Sequence, residues 1–184
     1  MKHLLIVALT LVFTLTAQLS KASETPIGKS QFVNGLEISA AYSPPTKMDP
    51  DGFMMTAENS DFHLEADIHA AQKSPQGFAK GDWIPYLWVK FELRKAGSDF
   101  VMRGDLNPMV DHDGPHYGGN VKLDGSGKYD LKLTVMPPSE NRHARFGRHT
   151  DAETGVPPWF KTFDVNFNFD FFSNAGKGVT KPKP

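Results

Sequence analysis

The chain has 184 residues, a formal net charge of −1, 39% hydrophobic and 22% charged side chains. That is the make-up of one globular domain around a single core, and near-neutrality gives no reason to expect nucleic acid or an anionic membrane surface as partner. Cysteine is absent, so neither disulfides nor a lipid-anchored cysteine contributes, and stability rests on the core with, at most, a metal or a second subunit.

The first segment has the marks of a secretory leader. Lys2 carries a positive charge, an apolar run covers 4–19, and Ser20-Lys21-Ala22 supplies a small-x-small cleavage site. The run is short for a bilayer span and holds threonines, so cleavage after Ala22 is expected rather than anchoring. The implied destination is a bacterial periplasm. The domain itself is expected over 23–172, with a loose tail over 173–184 that has few apolar groups.

Beyond the leader no helical periodicity appears. Short alternating segments recur at 35–42, 62–71, 86–94, 100–106, 120–123, 129–136 and 163–172. In 129–136 the apolar set is Tyr129, Leu131, Leu133 and Val135, and in 163–172 five apolar residues from Phe163 to Phe171 alternate with Asp and Asn. Ser43-Pro44-Pro45 and Pro137-Pro138 end strands because proline lacks the ladder donor, and Asp124-Gly125-Ser126-Gly127 is a tight turn. Seven such runs predict an all-β protein, an antiparallel β-sandwich of immunoglobulin-like type.

The segment DFHLEADIHA (61–70) is unusual among them. Phe62, Leu64, Ala66 and Ile68 form one face; His63, Glu65, Asp67 and His69 form the other. Such a polar row is either a solvated strand face or half of a metal site. His63 and Glu65 lie roughly 7 Å apart along one face, near enough to lean towards one ion. The other histidines after the leader fall in two further pairs, His112 with His116 and His143 with His149. Met109 lies in the loop NPMVDHDGPHYGG, where Gly114-Pro115 bends the chain and allows Met109 and His116 to converge. Imidazole suits copper, zinc, nickel and iron, thioether favours copper, and carboxylate is a hard donor. Against this, a loop histidine is commonly a hydrogen-bonding residue. Asp105, Asp111 and Asp113 suit turns, and Met48, Met54, Met55, Met102 and Met136 suit space-filling, with Met54-Met55 as an alternative soft-metal feature.

Four motifs narrow the choice: HLEADIH from His63, GDWIPYLWV from Gly81, MVDHDGPHYGGNV from Met109, and RHTDAETGV from Arg148 followed by Trp159-Phe160-Lys161. Together they resemble the periplasmic high-affinity iron-transport proteins, a family that also includes membrane antigens. The resemblance covers nearly all of the chain after the leader. It implies an immunoglobulin-like sandwich forming a homodimer, with copper bound near the dimer interface and an inner-membrane iron permease as partner in iron uptake. Carried over motif by motif, the implied metal ligands are His63, Met109, His116 and His149, with Glu65 as a variable or second-metal ligand. His143 is a rival to His149, which has the family's Arg-His-x-Asp context. His69, His112, Asp67 and Asp111 are then supporting or secondary groups. The family's Trp-Trp-Lys-Pro-Phe reads Trp159-Phe160-Lys161-Thr162-Phe163 here.

The expected role is therefore a metal-binding component for copper and transported iron, not an enzyme: no nucleophile–base arrangement stands out, and the expected mature N-terminus is Ser23 rather than a histidine. Copper storage or detoxification is the alternative, and a copper-dependent oxidase a further one.

Overall fold

The computed structural model describes residues 24–172; the leader and the tail expected from the sequence lie outside them. Nine strands appear in chain order. They are β1 (Thr25–Pro26), β2 (Gln31–Val33), β3 (Leu36–Ser43), β4 (Phe62–Ala70), β5 (Trp88–Lys95), β6 (Val101–Val110), β7 (Pro115–Val121), β8 (Gly127–Met136) and β9 (Phe163–Phe171). Two single 3-10 turns, Ala57–Asn59 and Pro138–Glu140, are the only helical pieces among the described residues. None of these is long or apolar enough to cross a membrane.

All pairings are antiparallel, in the order β1-β3-β4-β7-β6-β5-β8-β9, with β2 also on β3. The sheet folds over at β6. Residues Val101 to Leu106 of that strand pair with β5, whereas Asn107 to Val110 pair with β7. The two ends of the strand order thereby face each other across one core. Tyr42 and Phe62 from β3 and β4 meet Phe169 and Phe171 from β9, with Phe62 and Phe171 ring centroids 5.5 Å apart and Tyr42 and Phe169 5.8 Å apart. The expected all-β sandwich is the architecture observed. Alternation explains it: Phe62, Leu64, Ala66 and Ile68 on β4 are each 0% exposed, as are Val89, Leu93, Leu133 and Val135 on β5 and β8.

Three boundaries differ from the sequence reading for local reasons. The strand expected at 120–123 begins at Pro115, and β6 runs on to Val110, so Met109 and His116 lie on paired strands rather than in a loop. The Gly and Pro content suggested otherwise, but Asp111 closes a tight turn there. Its Oδ1 accepts from the backbone N–H of Asp113 at 2.8 Å and Gly114 at 3.1 Å. The strand expected from residue 86 starts at Trp88, because Tyr86 adopts a left-handed φ of 60° and stacks on Phe146 at 5.0 Å. The short β1 and β2 were not expected at all. Asn34 and Gly35, with φ of 54° and 78°, form the two-residue turn that joins β2 to β3, a conformation that Asn and Gly accept most readily.

Tyr117 holds the layers at the height of the β6–β7 hairpin. It is fully buried, its hydroxyl donates to Ile84 O at 2.8 Å and accepts from Leu87 N–H at 2.9 Å, and Trp83 stacks on its ring. Burial pushes its phenol pKa well above the ordinary value. Tyr117→Phe leaves one buried donor and one buried acceptor without a partner. Unfolding in urea should show a loss of about 1–3 kcal/mol at unchanged m-value; an unaltered midpoint would mean that this bond does not secure the connection.

Candidate metal centre

The register of three neighbouring strands assembles the site. His63 stands opposite Asn120 and Glu65 opposite Gly118 across β4 and β7, while Met109 stands opposite His116 across β6 and β7. Directly paired residues share a sheet face, so these side chains gather on the face turned away from the Phe62–Ile68 core row. That face is not solvated along its length. His63 is 1% exposed, Glu65 4% and His116 5%, whereas Asp67 and His69 further along are only half-buried. The cover is the segment after β3: Pro44 to Met48, together with Glu24 and the β6–β7 turn, encloses a cavity of about 340 Å³.

Inside it the donors converge. The His63 and His116 rings lie 5.9 Å apart at 79°. A Cβ on Gly118 would stand 2.5 Å from His63 Nε2 and 2.9 Å from Met109 Sδ. An imidazole nitrogen and a thioether therefore both sit over a position that only glycine leaves open. Glu65, Asp111 and His116 each present a ligand atom within 4.8 Å of the others.

Asn120 decides how His63 faces the cavity. Its Nδ2 donates to Thr46 O and Met55 O, both at 2.8 Å, which leaves Oδ1 as an acceptor. That oxygen receives the Thr46 N–H at 3.1 Å and lies 3.0 Å from His63 Nδ1. The proton of the neutral ring is therefore on Nδ1, and the Nε2 lone pair is turned to the hollow above Gly118. Burial lowers the His63 pKa to about 4 despite the Asn120 hydrogen bond, so the ring is neutral at physiological pH. His116 Nε2 is buried with no hydrogen-bond partner in the protein. A buried ring nitrogen left without a partner beside a thioether and a second imidazole fits a metal ion as its partner.

The hard donors form the other half. Ser43 Oγ donates to Glu65 Oε1 at 2.6 Å. Glu24, at the cavity rim, has its pKa raised to about 7, first by burial of its carboxyl and then by the negative charges of Glu65 and Asp67. It also shares a hydrogen bond with Glu65. Burial raises Asp67 as well, partly offset by His116 and His69. Carboxylates crowded beside the neutral His63 ring give the cavity a negative potential that attracts a cation.

The structure thus brings together His63, Glu65, Met109 and His116 and adds Asp111, which the sequence reading held as a secondary group. His149 is elsewhere on the same chain. Its side chain is 75% exposed, its Nδ1 is 2.7 Å from Thr154 Oγ1, and it does not line the cavity. Its rival His143 packs edge-on against Trp88, at 5.3 Å, and does not line the cavity either. His112 is exposed beside Asp113, and His69 sits next to the half-buried Asp67. Gly118, Asn120, Ser43 and Glu24 were missed. The first two lie in the quoted GGN run and became legible only once β7 was seen to pair with β4. Ser43 and Glu24 left no signal in sequence.

Two imidazoles, a thioether and a carboxylate beneath a loop on one face of a β-sandwich define a metal-binding protein with mixed soft and hard donors. The chain belongs to the family described as Fe2+ transport protein, whose profile matches residues 21–173. It is 53% identical to a UPF0423 protein of Brucella abortus over 175 residues, which are 95% of this chain and 94% of that one. Among solved structures it is similar to FetP of uropathogenic Escherichia coli strain F11, expressed recombinantly in the periplasm, with 40% identity, a TM-score of 0.78, and coverage of 86% of this chain and 99% of that one. It is likewise similar to copper-reconstituted P19 of Campylobacter jejuni, with 41% identity, a TM-score of 0.77, and coverage of 86% and 99%.

Gly118→Ala should lower copper affinity by about 10–100-fold with an unchanged circular dichroism spectrum, because the added methyl occupies the space of two donors. Gly119→Ala is the control, since its Cβ meets nothing closer than 3.6 Å. Equal affinities for the two variants would remove Gly118 from the centre.

Proposed function

We propose that this protein is the periplasmic metal-binding component of a high-affinity iron-uptake system, a homodimer that holds copper and works beside an inner-membrane iron permease. The observation that carries the reading is the convergence of His63, Met109 and His116 on the hollow at Gly118, next to the carboxylates, in a chain of the Fe2+ transport family. The imidazoles and the thioether suit copper in either oxidation state, and bound copper would contribute a redox-active Lewis acid. The protein residues orient the donors: Asn120 aims His63, Ser43 steadies Glu65, and the loop keeps water from the buried nitrogens. Iron is the cargo. Glu65, Asp111 and His116 supply the oxygen and nitrogen donors that suit its divalent ion.

Export rests on the leader, with Ser23 as the first residue of the mature chain, and is supported by the periplasmic expression of the related FetP. The homodimer accounts for His149. That residue is exposed and away from its own chain's cavity, so a second copy is the source from which it would reach the centre. The carboxylate cluster favours iron handling over copper storage alone, because hard donors add little to a store for soft copper.

Copper titration of the mature protein tests the ligand set: His116→Ala and Met109→Leu should each weaken binding at least about tenfold, and unchanged affinity in both would sink it. Deletion should give a growth defect under iron limitation; copper sensitivity with normal iron-limited growth would select storage instead.

Sharing between subunits has a separate test. Dimers mixed from His149→Ala and His116→Ala chains should regain one full-affinity copper site per mixed dimer. If mixing restores none, His149 does not act across the interface.

A further inference from the structure

The segment between β3 and β4 holds Met48, Met54 and Met55, and the site described above uses none of them as a ligand. Methionine in a globular domain normally fills space in the core. These three do not. Each is half-buried, and together they line a second cavity of about 290 Å³, beside Thr46, Thr56 and Glu58. Three long thioether side chains thus border open space rather than occupying it.

Two features tie this cavity to the metal centre. Thr46, Lys47 and Met48 line both cavities, so Met48 is a side chain common to the two. The same Asn120 amide that orients His63 also holds the loop, through Thr46 O and Met55 O. The loop's methionine segments are therefore held in place from the first site. The chemistry of the lining differs from that of the first site. It has three thioethers but no histidine and, in a chain without cysteine, no thiol. Thioethers without imidazole bind divalent first-row ions poorly and favour monovalent copper. Of the acidic groups at the same cavity Glu58 is paired with Lys47 at 3.6 Å, and Asp51 adds charge of the right sign for a cation.

We propose that the β3–β4 loop carries a second site, selective for monovalent copper, in which the thioethers of Met48, Met54 and Met55 hold the ion next to the His63–Met109–His116 centre. Binding is ligand exchange: each copper–sulfur bond formed replaces a bond to the donor ligand, and the copper keeps its oxidation state. The proposal does not depend on the role in iron uptake.

Anaerobic titration of the mature protein with monovalent copper against bicinchoninate tests it. The unmodified protein should take up two ions per chain. The double variant Met54→Leu, Met55→Leu should take up one, with its affinity for divalent copper unchanged. The double variant Met109→Leu, His116→Ala should also retain one, and X-ray absorption should show sulfur as the copper neighbours. If that second variant takes up no monovalent copper, or takes it up through nitrogen and oxygen alone, the loop site does not exist. The same follows if Met54→Leu, Met55→Leu leaves the stoichiometry at two. Failure of the first centre would register independently, as unaltered divalent-copper affinity in Met109→Leu, His116→Ala.

Discussion

The side-chain amide of Asn120 joins parts of the chain that are distant in sequence, and the candidate centre depends on it. Its nitrogen is committed to two carbonyls of the covering loop, so its oxygen can only accept. From that follow the tautomer of His63, the direction of its free lone pair and the position of the loop that excludes water. An aspartate here would lose both bonds to the loop carbonyls, and an aliphatic residue would leave His63 free to turn. The amide is one of the few groups with donors and an acceptor in the arrangement that this position requires.

Around that bond the sheet buries both faces of one strand segment, where an antiparallel sandwich commonly leaves the outer face solvated. The inner face of β4 packs in the core, while His63 and Glu65 on its outer face are nearly as inaccessible. An unpaired buried carboxylate or ring nitrogen costs free energy, and here only part of that cost is met by hydrogen bonds. Ser43 serves Glu65 and Asn120 serves His63, but His116 Nε2 has no partner in the protein, and Glu24 shares a hydrogen bond with Glu65 beside the charges of Glu65 and Asp67. A bound cation relieves both, giving the orphaned nitrogen a partner and screening the carboxylates.

Glycine has a comparable role. Gly118 lies between His116 and Asn120 on the same face of β7, opposite Glu65, and its missing side chain is the space over which His63 Nε2 and Met109 Sδ sit. The hairpin that carries these residues is closed by Asp111, whose carboxylate both caps the turn and faces the donor cluster. A turn residue therefore also serves as a candidate ligand, because the turn lies directly above the strand pair that holds Met109 and His116.

The period-2 alternation of 62–71, 129–136 and 163–172 is written in the residues themselves, and it was enough for an all-β sandwich with its core rows. The ligand types were equally legible: histidines in separate segments, one near a methionine, and the His63–Glu65 spacing that only a strand puts on one face. The likeness to the iron-transport family then singled out His63, Met109, His116, Glu65 and His149 from the others. What the sequence could not determine is anything that depends on which strands are neighbours. Pairing of β4 with β7, and of β7 with the second half of β6, is a long-range outcome of how the sheet folds over. That pairing makes Gly118 a hollow, turns Asn120 into a clamp and raises Asp111 from turn residue to donor. His149 lies outside the cavity of its own chain, and spacing along the chain carries no information about where a loop will lie in the fold. Local alternation decides what a strand presents on each face; only tertiary packing decides what that face meets.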